Sequence, residues 1–138
     1  MGKLSGKVAL ITGAASGIGA AAAQLFKEQG ANVFLVDIDK DALEATAEKL
    51  GNEDVSYIVA DVADEDQTAQ YVSAALEKFG TLDAALLNAG IEGDVKPITD
   101  CSSDVFDKVI AVNLRGVWLG LKHIMPTMGS GGGGSIVI

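Results

Sequence analysis

Three glycines near the amino terminus are spaced to hold a phosphate. Thr12–Gly19 reads TGAASGIG, a Gly-x-x-x-Gly-x-Gly arrangement set between a β-branched run and an alanine-rich stretch. Each glycine has its own physical role. Gly13 lets the chain turn tightly, Gly17 lets backbone approach a pyrophosphate, and Gly19 lets a helix pack close to a strand. With Ser16 and Ile18 they open a helix whose first N–H groups are unsatisfied and carry partial positive charge, which suits a diphosphate. A P-loop is excluded, because no Gly-Lys-Ser/Thr follows. In isolation such glycines serve ordinary turns; the strand–turn–helix setting is what points to a dinucleotide.

A carboxylate stands a suitable distance downstream. Asp37 ends the next apolar run, where it can accept hydrogen bonds from the hydroxyls of an adenosine ribose. The same carboxylate repels a 2′-phosphate, at ~4 Å by ~1 kcal/mol in water and ~4 kcal/mol at an effective dielectric of about 20. Neither Arg nor Lys occurs at Ala14, Ala15, Ser16 or Ile38 to offset this. The expected cofactor is NAD, favoured over NADP by about fivefold to several hundredfold. The bland alternative is that Asp37 merely opens a turn.

These residues need elements to carry them. Short β-branched runs alternate with longer amphipathic stretches, which predicts βαβ units and a parallel sheet. The strands fall at Lys7–Thr12, Ala31–Asp37, Asp54–Ala60, Asp83–Asn88 and Ser135–Ile138, and the helices at about Gly17–Gln29, Lys40–Leu50, Asp64–Phe79 and Ser103–Met125. Gly30, Gly51 and Gly80 each follow a last helical turn, where a left-handed residue is wanted. Right-handed crossovers then give a doubly wound α/β sheet, Rossmann-type, in the order 3-2-1-4-5. Ligand belongs where that order reverses, beside Gly13 and Asn88–Gly90. The whole of 1–138 is expected to be a single dinucleotide-binding domain. Gly129–Ser135 reads GSGGGGS, the composition of a flexible linker. A natural loop and an engineered splice both fit it. Beyond it the last strand leaves a sheet edge open to pairing with another molecule.

Composition narrows the partners. Net charge is −9, so no basic stripe is available for nucleic acid. One cysteine, Cys101, and one histidine, His123, allow neither an internal disulfide nor a cysteine or histidine metal cage. Apolar runs such as Val8–Ile11 and Val33–Val36 are far below the ~18 residues of a membrane span. A cytoplasmic domain is expected.

TGAASGIG is similar to the TGxxxGIG motif of the short-chain dehydrogenase/reductase family, and the resemblance continues in register along nearly the whole chain. Asp37 ends the second strand, Asp61-Val62 follow the third, Leu87-Asn88-Ala89-Gly90 end the fourth, and Asn113 lies within VNLRG. Leu87 departs from the family, which usually has Asn there. By this resemblance Asp61 bonds the adenine amino group, Val62 lies beside the ring, and Asn88, Ala89 and Gly90 line the ribose side. Alone, Asp61 serves equally as a helix-approach residue, and Asn88–Gly90 as strand-end turn chemistry.

The family's reaction is hydride transfer between NAD and an alcohol or ketone. It uses a Tyr-x-x-x-Lys pair and a Ser, supported by an Asn. Four residues beyond Tyr57 and Tyr71, the two tyrosines here, stand Asp61 and Ala75, so neither begins that pair. Asn113 matches the helical Asn of the set; a buried Asn bonding backbone is its alternative. His123 reads as a surface histidine near a helix end rather than a substitute base. The implication is an NAD-binding portion of such an oxidoreductase, not competent alone. The rival is a Rossmann scaffold or oligomerising domain without functional cofactor binding. Val109, Val112, Val117, Trp118 and Leu121 ring the last helix, as expected if both sides are buried. In the family this helix commonly packs between subunits, which implies a homo-oligomer.

Overall fold

The apolar runs at the centre of the sheet become strands because they are covered on both faces. A computed structural model describes residues 2–51 and 53–138. In β1 (Val8–Thr12) every residue is buried, and in β2 (Asn32–Asp37) the four central ones are. Together with β3 (Val55–Val59), β4 (Ala84–Leu87) and β5 (Ser135–Val137) they form a parallel sheet in the order β3-β2-β1-β4-β5, as expected. Alternation along the strands divides the core into two layers. Val8, Leu10, Phe34 and Val36 face α3 (Glu65–Phe79) and α5 (Gly116–Ser130), meeting Tyr71, Val72, Ile124 and Met128. Ala9, Ile11, Val33 and Leu35 face α1 (Gly17–Glu28) and α2 (Lys40–Leu50), meeting Ala23, Leu43 and Ala47. A sheet so sandwiched needs apolar residues at consecutive positions, which is what the runs supply.

The strands are one to two residues shorter than the spans expected from the sequence. Asp83 lies outside β4; its carboxylate accepts from Val8 N and Lys7 Nζ, both at 2.9 Å. Asn88 also lies outside, its amide aimed at β1. The expected helix from Asp64 begins at Glu65, since Asp64 is its cap and accepts from Gln67 N. Gly80 closes α3 in the left-handed conformation, but Gly51 closes α2 at φ 89°, ψ 166°, a region open essentially to glycine alone and not the left-handed helical one.

The expected helix Ser103–Met125 differs most. It divides into α4 (Ser103–Ile110), a π-helical turn at Ala111–Arg115, and α5, which continues through Pro126 to Ser130. Gly129 and Ser130 are therefore helical, and only residues 131–134 separate α5 from β5. Buried Met128 packs so tightly on Gly134 that a Cβ there would lie 2.6 Å from Met128 Sδ. This packing overrides the helix-breaking character of Pro126 and Gly129. Nor is the last helix buried on all sides. Trp118 is 56% exposed. Among the described residues no helix is long and apolar enough to cross a membrane.

Candidate functional site

The parallel register brings the carboxyl ends of β1, β2 and β4 level, with Thr12 paired to both Val36 and Leu87. The segments leaving these ends are stitched together. Ala89 N donates to Thr12 Oγ1 at 3.1 Å, and Asn88 Nδ2 reaches the carbonyls of Thr12 and Gly13 at 3.3 Å. A Cβ on Gly13 would stand 2.9 Å from Ala89 Cα, and one on Gly19 only 2.0 Å from Gly13 O. These two glycines therefore serve the close approach of loop, helix and strand. Gly17 is different. Its φ is +53°, yet nothing lies within 4 Å of its Cβ position, so the space beside it is open.

Above these ends lies a cleft of about 480 Å³. Gly13, Ser16, Gly17, Ile18, Asp37, Asp61, Val62, Asn88, Ala89 and Gly90 all line it. Gly19 does not; it is buried one step into α1, where the packing role expected of it is visible. The start of α1 is unclaimed by side chains. Ser16 is extended at φ −154°, ψ 174° and its hydroxyl makes no capping bond, whereas Asp39, Asp64 and Ser102 cap α2, α3 and α4. Free N–H groups at a helix start beside an open glycine suit a diphosphate.

Asp37 is held but not saturated. Its Oδ2 accepts from Ala15 N at 2.9 Å and its Oδ1 from Asp39 N at 3.0 Å. A carboxylate offers about four acceptor positions, so capacity remains for a diol. Asp61 has a local role as well, its Oδ1 accepting from Ala63 N at 2.9 Å.

Asn113 is not among the residues lining the cleft. Its Nδ2 donates to Ile91 O and its Oδ1 accepts from Ile91 N, both at 2.8 Å; it bonds backbone but is exposed, not the buried Asn of its alternative reading. This pair ties the π-helical turn to the segment after β4. On the other side Arg115 donates to Ala63 O, and a Cβ on Gly116 would lie 2.8 Å from Val62 Cγ2. The turn is thus pinned between both loops that border the cleft.

Sequence reasoning missed Ile38, Ala60, Ile91, Lys108 and Val112 as lining residues. Lys108 and Val112 stand four apart, one helical turn, which puts them on one face, but only tertiary packing turns that face to the cleft. Lys108 is the one Lys or Arg among the residues lining the cleft. The two tyrosines lie elsewhere. Tyr71 is buried against α5, its hydroxyl without a hydrogen-bond partner among the described residues, and burial pushes its pKa up to about 12. Tyr57 is raised by desolvation and by Glu44. His123 faces α3, 3.1 Å from Glu65 Oε1, and is also absent from the cleft.

The sequence pattern of the short chain dehydrogenase family matches residues 7–138. The chain belongs to that family. Levodione reductase of Leifsonia aquatica is 41% identical over 139 residues, covering 98% of this chain and 52% of the relative. Two solved structures superpose closely. A 3-ketoacyl-(acyl-carrier-protein) reductase from Brucella melitensis complexed with NADH has TM-score 0.91 at 38% identity, covering 94% of this chain and 53% of that one. NAD+-bound xylitol dehydrogenase has TM-score 0.92 at 34% identity, covering 97% and 52%. The chain thus spans about half the length of these relatives.

Proposed function

We propose that this chain binds NAD(H) in the cleft above β1 and β4, as the nucleotide-binding portion of an oxidoreductase acting on an alcohol or ketone. The observation that carries the proposal is the open glycine beside an uncapped helix start, in the same cleft as the Asp37 carboxylate. Complexes of two relatives with NADH and NAD+ support the choice of ligand. In this reading the start of α1 holds the diphosphate, Asp37 accepts from the adenosine ribose, and Asp61 and Val62 border the adenine. Asn88, Ala89 and Gly90 border the other ribose. The bound cofactor supplies or accepts the hydride. Asp37 disfavours a 2′-phosphate, so NAD is preferred over NADP.

Hydride transfer by these 138 residues alone is not expected. Neither tyrosine lines the cleft or precedes a lysine by four. Both are also shifted away from neutral titration. A calorimetric titration with NADH and, separately, NADPH tests the reading. Saturable NADH binding with weaker NADPH is the expected result. No heat and no thermal stabilisation with either would leave the rival, a Rossmann scaffold without cofactor.

A second copy is the proposed partner. Phe106, Ile110, Leu114 and Trp118 follow one another at four-residue spacing along α4 and α5, and all are exposed. An apolar stripe of this kind on a helix face is suited to burial against its own equivalent.

A further inference from the structure

Threonines inside helices commonly turn their hydroxyl back to the carbonyl four residues earlier. Thr68 does so in α3, bonding Asp64 O at 2.9 Å, and Thr127 does so in α5, bonding His123 O at 3.4 Å. Thr46 in α2 does not. Its Oγ1 donates across 31 residues to Ala15 O, at 3.0 Å, in the middle of the glycine loop. Thr46 follows Leu43 by one turn and precedes Ala47, both buried, so it sits on the face that keys α2 into the core.

Ala15 is thereby held at both ends of its residue. Its N–H donates to Asp37 Oδ2, and its carbonyl accepts from Thr46. Asp37 Oδ1 accepts from Asp39 N, and Asp39 in turn caps α2 through Ala42 N at 3.1 Å. Asp37, Ala15, Thr46, α2 and Asp39 close a ring of contacts. Because the peptide is trans, a carbonyl fixed toward α2 puts the N–H of Ser16 on the opposite side.

We propose that Thr46 is a positioning residue for the dinucleotide. Its hydroxyl orients the Ala15–Ser16 peptide, and so the backbone that meets the diphosphate. It also couples that backbone to the carboxylate that reads the ribose. Thr46 is not among the residues lining the cleft, so it acts through Ala15. The assignment rests on the nucleotide-binding function proposed above.

Thr46→Val keeps the branched shape and removes the donor; Thr46→Ser keeps the donor. NADH and NADPH affinities are measured by calorimetry on the full chain, with amide exchange at Ala14 and Ala15 by NMR in the absence of ligand. Ala14 N is bonded to Val36 O at 3.1 Å, so both amides begin protected. Thr46→Val is expected to weaken NADH about threefold to tenfold, the span of one neutral hydrogen bond. It should also narrow the preference over NADPH and speed exchange at Ala15 relative to Leu10 in β1. Thr46→Ser should restore all three. Wild-type affinity and unchanged Ala15 exchange in Thr46→Val would overturn the proposal. Equal losses in both variants, tracking a lower melting temperature, would also overturn it by reducing Thr46 to a helix residue. If the unaltered chain binds neither dinucleotide, the nucleotide reading falls by itself, and the exchange rates still decide whether Thr46 holds Ala15.

Discussion

The glycines of the loop separate folding from binding. A methyl at Gly13 meets Ala89 and Asn88, and one at Gly19 meets Gly13, while one at Gly17 meets nothing in the free protein. Gly17→Ala is therefore expected to cost about 1–2 kcal/mol, the strain of an L-residue at positive φ. It should weaken NADH by more than about tenfold, because the methyl enters the space proposed for the diphosphate. Gly13→Ala should reverse the order of damage, losing stability first. Paired melting curves and NADH titrations check both; equal loss of binding and stability in the two variants would contradict the division. Asp37→Asn should lower the NADH-to-NADPH affinity ratio by about fivefold to several hundredfold. A ratio unchanged by calorimetry would take the choice of cofactor away from Asp37. The packing of Gly19 on Gly13 was legible in the sequence because it is local; the approach of Gly13 to Asn88 and Ala89, from another strand, was not. Thr46 and Lys108 were not legible. Their relation to the cleft is made by tertiary packing, across 31 residues in the case of Thr46.

Elements show the same contrast. The start of α3 could be read from Asp64 because capping is a contact between near neighbours. The π-helical turn could not, since the contacts that hold it, Asn113 with Ile91 and Gly116 beside Val62, join residues distant in the chain. Two carboxylates bind elements to each other and give stability a defined acid limit. Burial pushes the Asp83 carboxyl up, but the Val8 amide and the Lys7 ammonium outweigh this and hold it below its ordinary value. Glu65 is likewise lowered, first by the hydrogen bond from Lys122 and then by that from His123. A carboxyl lowered in the folded state stabilises above its unfolded pKa, and that contribution is lost as pH falls through the folded pKa. The melting temperature should be flat between about pH 7 and pH 5 with respect to these groups and fall below about pH 4. Asp83→Asn should cost about 1–2 kcal/mol at neutral pH, since charged hydrogen bonds join β4 to β1 there. It should also flatten the acid slope. An undiminished slope in that variant, followed by circular dichroism, would assign acid sensitivity elsewhere.

At the scale of the whole molecule, apolar periodicity showed that the last helix is ringed by hydrophobic side chains, but not which of them the chain covers itself. Leu119, Ile124 and Met128 are buried, whereas Phe106, Leu114 and Trp118 are each more than half exposed. The uncovered stripe continues across the π-helical turn, so a partner helix lying along it would touch the element that borders the cleft. A copy of this chain is the expected partner, in a two-fold arrangement in which each stripe meets its equivalent. Trp118 is the sole tryptophan, which makes its emission a direct report on this face. Its spectrum should shift to the blue as concentration rises through the association range, in step with a light-scattering mass approaching two chains. Leu114→Glu should hold the mass at one chain and the spectrum at its dilute position. Each copy carries a net charge of −9, so association should tighten as added salt screens repulsion between them. An association insensitive to Leu114→Glu would move the interface to the open edge of β5. A mass of one chain at micromolar concentration, with Trp118 emission unchanged on dilution, would leave the stripe without a second copy.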